Sequence, residues 1–211
     1  MTDFSLQATS LQKSFGRRLV FTGITLNLNK PGVFGISGPN GSGKSTLIKI
    51  LAGINSPTKG KVIHTHNGKE IISEKLHNFI GFVSPYLVLY DEFSAWENLN
   101  YFASIRSISF NKDKVENLLE QFLLLNRKDD LVKAYSSGMK QRLKFIFALM
   151  HSPAFIFLDE PTSNLDDEGK LTVYNLIKSE SEKAIVVVAS NEKNDLNQCS
   201  EVLKLEDFKA S

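Results

Sequence analysis

Residues 38–46 read GPNGSGKST, so Gly38, Pro39, Asn40, Gly41, Ser42, Gly43, Lys44, Ser45 and Thr46 satisfy the spacing G-x-x-x-x-G-K-[ST]. Glycines in such a run let the backbone wrap a phosphate chain with successive N–H groups pointing inward. A helix opening directly behind them adds its partial positive charge. Lys44 is then placed to reach the β- and γ-phosphates of a nucleotide, and Ser45 to offer its hydroxyl to Mg²⁺. A glycine-rich turn with a purely structural duty gains nothing from Lys and Ser after its last glycine, so nucleotide binding is the expected chemistry.

A second stretch, FIFLDEP at residues 155–161, ends an apolar run in two acids. Charge is tolerable there only if the strand emerges at a site. Asp159 is expected to hold Mg²⁺ through water, and Glu160 to orient or deprotonate an attacking water. Alone, the acid pair reads equally well as a solvated turn; the phosphate loop upstream weighs against that. A third stretch, YSSGMKQR at residues 135–142, sets two hydroxyls and a glycine ahead of an apolar helical segment, which suits an anion. Taken without the other two it is an ordinary N-capped helix.

Phosphate loop, YSSGMKQR and FIFLDEP in this order resemble the ATP-binding cassette (ABC) ATPase family, over essentially the whole chain. The resemblance implies that Ser136, Ser137, Gly138 and Met139 form the signature motif usually written LSGGQ, which serves the ATP of a partner cassette in a head-to-tail homodimer or heterodimer. Asp166, in Asn164-Leu165-Asp166, falls at the D-loop along the same seam. Phe15 falls where cassettes stack an aromatic ring on adenine; the alternative is an ordinary core phenylalanine. Glu160 matches the catalytic glutamate, with Lys44 and the residue at the H-loop, Asn191, beside it.

Two positions depart from the family pattern. The segment usually read I-G-Y-V-P-Q is Ile80-Gly81-Phe82-Val83-Ser84-Pro85, so the glutamine is replaced by Pro85. The resemblance implies that this glutamine contacts Mg²⁺ and the attacking water and senses the membrane partner; proline, with neither a side-chain donor nor a backbone N–H, takes over neither role. Asn191 replaces the histidine that contacts the γ-phosphate; it can donate a neutral hydrogen bond but carries no positive charge. ATP binding is therefore expected intact and hydrolysis slow.

The elements that must position these residues are readable around them. VFGIS is an apolar run suited to a buried strand, followed by the glycine loop and a helix carrying Leu47, Ile48 and Leu51, stopped near Gly53. Residues 60–72 read as a hairpin turning at Asn67-Gly68, with His64 and His66 on one face. With no third ligand nearby, a solvated strand face is expected there rather than a metal site. Ser94 and Glu97 form a capping box, and Val115, Leu118, Leu119, Phe122 and Leu123 are expected to line one helical face. AFIFLD and AIVVVAS read as strands with a helix over 167–179 between them, and VLKL as an edge strand.

The expected fold is therefore α/β: a P-loop NTPase of the RecA-like kind, its mostly parallel sheet flanked by helices, with an antiparallel β subdomain and a helical insert. The chain is expected to be one domain, 1–211, with a nucleotide-binding core at about 1–85 and 153–211 and a helical subdomain at about 86–152. The 211 residues can bury one sizeable core. A net charge of +2 gives no basic face for nucleic acid, and the single cysteine, Cys199, suits a reducing compartment. MTDFSLQATS lacks the pattern of a signal peptide, so a cytoplasmic location is expected.

By resemblance, a lone cassette of this length is the ATPase subunit of a transporter whose membrane permease is a separate chain, peripheral on the cytoplasmic face. YSSGMKQRL looks like the small cassettes of ABC-2-type or haem-exporter systems. The aromatic-rich tract containing Tyr86, Leu87, Leu89, Tyr90, Phe93 and Trp96 would receive the permease, unless it packs on the insert's own core. The alternatives from other classes are a soluble iron–sulphur-assembly ATPase and a nucleotide-gated regulator with little turnover.

Overall fold

The computed structural model describes residues 3–209, so the outermost residues of the expected 1–211 domain lie outside it. Strands β1 (Phe4–Phe15), β2 (Arg18–Leu28) and β3 (Gly32–Ser37) lead into helix α1 (Lys44–Leu51). The hairpin β4 (Lys59–His66) and β5 (Lys69–Glu70), the short helix α2 (Ser73–Leu76) and β6 (Ile80–Val83) follow. Helices α3 (Ala95–Ile105), α4 (Lys112–Gln121) and α5 (Ser137–Leu149) then intervene before β7 (Phe155–Asp159), α6 (Asp167–Glu180), β8 (Ile185–Ser190), α7 (Lys193–Leu196) and β9 (Glu201–Lys204).

The strands sort into a parallel sheet ordered β6-β7-β8-β3-β9 and an antiparallel sheet ordered β2-β1-β4-β5. The β4–β5 turn uses Asn67 and Gly68 at φ 51° and 72°, as a two-residue hairpin with right-handed strand twist requires.

Strands β7 and β8 are buried along their whole length, which is why they read as unbroken apolar runs. Their period of two divides those side chains between two cores. Phe155, Phe157, Ile185 and Val187 face α1 and the antiparallel sheet, packing with Leu47, Ile48, Leu51 and Phe21. Ile156, Leu158, Val186 and Val188 face the helices, packing with Leu99, Leu119 and Phe145. The sheet is thus covered on both faces, and its carboxyl edge is left to carry the loops. Helix α5 lies directly on β6: a Cβ at Gly81 would stand 2.3 Å from the Ala148 carbonyl oxygen, so only glycine permits that approach.

The capping box forms as expected, Ser94 N–H donating to Glu97 Oε2 (2.8 Å) and Glu97 N–H to Ser94 Oγ (3.1 Å). Two expectations are corrected. Helix α4 ends at Gln121, so Leu123 falls beyond the helical register, at φ 57°, and turns outward while Phe122 and Leu124 are buried. The histidine face of β4 is not solvated either. His64 is buried edge-on against Phe155 with Nε2 donating to the Leu51 carbonyl (2.8 Å), and His66 stacks on Phe4. His64 is thus enclosed beside α1, and His66 is half-buried under Phe4.

Candidate active site

The β3–α1 loop folds back on itself because Gly43 adopts φ 109° and a Cβ there would meet Val20 at 2.5 Å. That bend starts α1 at Lys44 with its free N–H groups facing a cavity of about 890 Å³. The cavity gathers Phe15, Asn40, Gly41, Gly43, Lys44, Ser45, Thr46, Asp159, Glu160 and Asn191, from segments far apart in the chain. Gly38 and Pro39 are not in its lining; their carbonyl oxygens accept from Lys44 Nζ at 2.8 and 3.4 Å. Ser42 is buried beneath the loop. Phe15 is no core residue; it is exposed at the cavity mouth with Lys13 Nζ 4.9 Å from its ring centroid.

At the opposite end, the carboxyl ends of β7 and β8 supply the acids. Ser45 Oγ donates to Asp159 Oδ1 (2.9 Å), while Asp159 Oδ2 is buried and has no protein partner. Burial pushes the Asp159 carboxyl pKa up, against the downward pull of the Ser45 hydrogen bond. An orphaned buried carboxylate oxygen beside a serine hydroxyl is an all-oxygen donor set that fits Mg²⁺. Glu160 follows in a left-handed conformation, φ 48°, its N–H donating to the Ala189 carbonyl (2.8 Å). This uncommon backbone for a non-glycine residue turns the carboxylate into the cavity, where Oε1 lies 3.3 Å from Lys44 Nζ.

Glu160 Oε2 lies 3.2 Å from Ser190 Oγ, but that hydroxyl has a nearer acceptor, Asp195 Oδ2 at 2.7 Å. Asp195 is fully buried and also accepts from Thr162 Oγ1 and Tyr174 OH, each at 2.9 Å. Its surroundings raise the Tyr174 hydroxyl and the Cys199 thiol to about 12, chiefly through burial. Asn191 is exposed at the cavity, its Nδ2 donating to Asn40 Oδ1 (3.2 Å), and Pro85 and Tyr86 also belong to the lining.

Asn164 and Leu165 of the D-loop stretch line this cavity, but Ser136, Ser137, Gly138, Met139 and Asp166 do not. Ser136 caps α5, its Oγ accepting from Met139 N–H (3.2 Å), with Ser137 and Gly138 in the first turn. Asp166 caps α6, accepting from Gly169 N–H at 2.9 Å. Arg18, Lys170 and Ser163 do line the cavity and were missed, as was Asp195 beneath it. Arg18 sits only three residues beyond Phe15, the one sequence hint toward it; the others carry no local pattern.

A parallel sheet with a glycine loop, a hydrogen-bonded Ser–Asp pair and a cavity-facing carboxylate at its carboxyl edge defines a P-loop ATPase. The family profile described as "ABC transporter" matches residues 21–163. The chain is 34% identical over 203 residues to the lantibiotic transport ATP-binding protein SrtF of Streptococcus pyogenes, covering 96% of this chain and 84% of that one. It is 32% identical over 187 residues to the linearmycin resistance ATP-binding protein LnrL of Bacillus subtilis, covering 87% and 60%. Among solved structures, cbiO1 of Clostridium perfringens, part of the ABC transporter complex cbiONQ, superposes with a TM-score of 0.77 at 25% identity, over 96% of this chain and 84% of that one. The chain therefore belongs to the ABC transporter ATP-binding family: it binds ATP, and its activity is the transport-coupled ATPase of that family. Among the described residues no helix is long and apolar enough to cross a membrane.

Proposed function

We propose that this chain drives a separate membrane permease, on the cytoplasmic face, by closing on a second cassette when ATP is bound and opening after a slow hydrolytic step. The observation that carries the reading is the division of the site: Lys44, Ser45, Asp159 and Glu160 share one cavity, while the Ser136–Met139 corner and Asp166 lie outside it. A corner with a capping hydroxyl and free N–H groups, outside the lining of its own cavity, suits the triphosphate of a partner.

In this scheme the adenine stacks on Phe15 and the phosphates lie across the α1 N-terminus, with Lys44 on the β- and γ-phosphates. Ser45 and Asp159 would hold Mg²⁺, which neutralises phosphate charge when bound. Glu160 takes the proton of a water whose oxygen bonds to the γ-phosphorus, and the β–γ bridging bond breaks to release ADP and phosphate. Asp195 holds the Ser190 proton away from Glu160 Oε2, which keeps that oxygen free as the base. Asn191 donates a neutral hydrogen bond where a histidine would supply charge, and this slows the transition state.

The permease face is the tract after β6. Tyr86, Val88 and Tyr90 are exposed, whereas Leu89 is buried and Trp96 packs on the helical core. Exposed aromatic side chains of this kind are common interface anchors. Similarity to the lantibiotic-transport and linearmycin-resistance proteins favours a permease that moves antimicrobial compounds. Turnover near zero would favour the nucleotide-gated regulator, the reading that Pro85 and Asn191 support. The deciding experiment is light scattering on Glu160→Gln with and without ATP, with membrane fractionation in cells that have or lack the permease. An ATP-dependent dimer that pellets only with the permease is expected; a monomer under all conditions would overturn the scheme.

A further inference from the structure

Helix α5 carries a lysine that the catalytic scheme does not use. Lys144 is buried, and its Nζ donates to the Pro85 carbonyl at 2.7 Å and to the Ser84 carbonyl at 3.2 Å. Among the described residues it has no ion-pair partner. Burial lowers its pKa, with further lowering from Lys140. A buried ammonium without a counter-charge is costly, and an apolar side chain would fill the same helix position more cheaply. Two carbonyl oxygens of one loop are therefore what this side chain is for.

That loop stands at the edge of the nucleotide cavity, where Pro85 and Tyr86 form part of the wall. Ser84 O also accepts from Leu87 N–H (3.2 Å) and Ser84 Oγ from Tyr86 N–H (3.3 Å), so residues 84–87 form a tight turn at the end of β6. Pro85 has no N–H, so its carbonyl is its only backbone handle. One helical turn before Lys144, Lys140 Nζ pairs with Asp91 Oδ1 at 2.7 Å. Helix α5 thus grips both ends of the segment 84–91, at spacing i and i+4 on one face.

We propose that Lys144 is a positioning residue that couples the Ser136 corner at the start of α5 to the cavity edge at Pro85. Ser136 and Lys144 are about two turns apart on one rigid helix, roughly 12 Å, so a shift of the corner on partner closure is passed to the loop through the Lys144–Pro85 bond. This coupling rests on the partner-closure reading given above.

Steady-state ATPase of Lys144→Met and Lys144→Arg, with thermal melts of each, tests it. Lys144→Met is expected to melt close to the unaltered protein, to keep its KM for ATP within about twofold and to lose about tenfold in kcat, as misplacement of a cavity wall does. Lys144→Arg, which can still donate to both carbonyls, should recover most of that loss. A Lys144→Met kcat within about twofold of the unaltered protein overturns the inference. So does a kcat loss that follows a collapsed melting temperature and is not recovered by arginine, since that is a role in folding alone. Glu160→Gln is the separate control: if it forms no ATP-dependent dimer, partner closure fails and takes the Lys144 coupling with it. If it dimerises and Lys144→Met is inert, only the Lys144 coupling fails.

Discussion

The Lys44 ammonium lies 3.3 Å from Glu160 Oε1, so the residue that grips phosphate and the residue that activates water share one ion pair across the cavity. The pair draws Glu160 inward on its left-handed backbone, and incoming phosphate oxygens compete for the same ammonium. Occupation of the site therefore bears directly on the freedom of the base.

Glu160→Gln keeps shape and hydrogen bonding but removes the proton acceptor. We expect kcat to fall by about 10²- to 10⁴-fold while ATP affinity stays within a few-fold, because Lys44 and the loop amides remain. Single-turnover hydrolysis and nucleotide binding by fluorescence measure the two separately. Equal turnover in the two proteins would remove Glu160 from the role of base.

Asn191 meets Asn40 across the phosphate loop through a neutral contact of 3.2 Å. Asn191→His puts an imidazole at the same position, and a histidine that carries charge stabilises the transferring phosphoryl group better than an amide. A rise of about tenfold in kcat is expected, strongest below neutral pH. A pH–rate profile identical to that of the unaltered protein would place Asn191 outside the reacting geometry.

The stretch from Gly38 to Thr46 is readable from sequence because its chemistry is local: the glycines, the lysine and the helix start are adjacent, and periodicity marks the strand before them. The same holds for Asp159 and Glu160, which close an apolar run. Asp195 and Lys144 are not readable in this way. Thr162 reaches Asp195 from 33 residues away, and Lys144 reaches Pro85 across 59, so only the parallel sheet and the seating of α5 on Gly81 bring them together. Leu123 and the His64 face fail for a related reason. Periodicity carries past the true helix end, and one strand gives no sign of what packs on it.

Asp195 is fully buried and gathers three hydroxyl donors. Asp195→Ala leaves Thr162, Tyr174 and Ser190 without their acceptor, and a loss of about 3 kcal/mol in stability is expected. Urea unfolding at pH 7 reads it as a lower midpoint at unchanged m-value. A change below about 1 kcal/mol would mean that the three hydroxyls find other partners.

Acid should weaken the fold, and His64 and His151 are the reason. Burial holds both at about 4, down from 6.5; the Leu51 hydrogen bond opposes this at His64, and Arg106 adds to it at His151. Below pH 6.5 the unfolded chain takes up protons that the native rings refuse, so the stability these groups contribute is complete above 6.5 and is lost as pH falls through 4. Each histidine steepens the decline by up to about 1.4 kcal/mol per pH unit. Asp159, with its pKa raised, works in the opposite sense as pH falls toward its unfolded value of 3.8, so the slope is best read at the upper end, between about pH 6.5 and 5. His64→Gln, whose amide can still donate to Leu51 O, should roughly halve that slope. Urea midpoints that do not move between pH 7 and 5 in the unaltered protein would contradict the assignment of neutral, buried imidazoles.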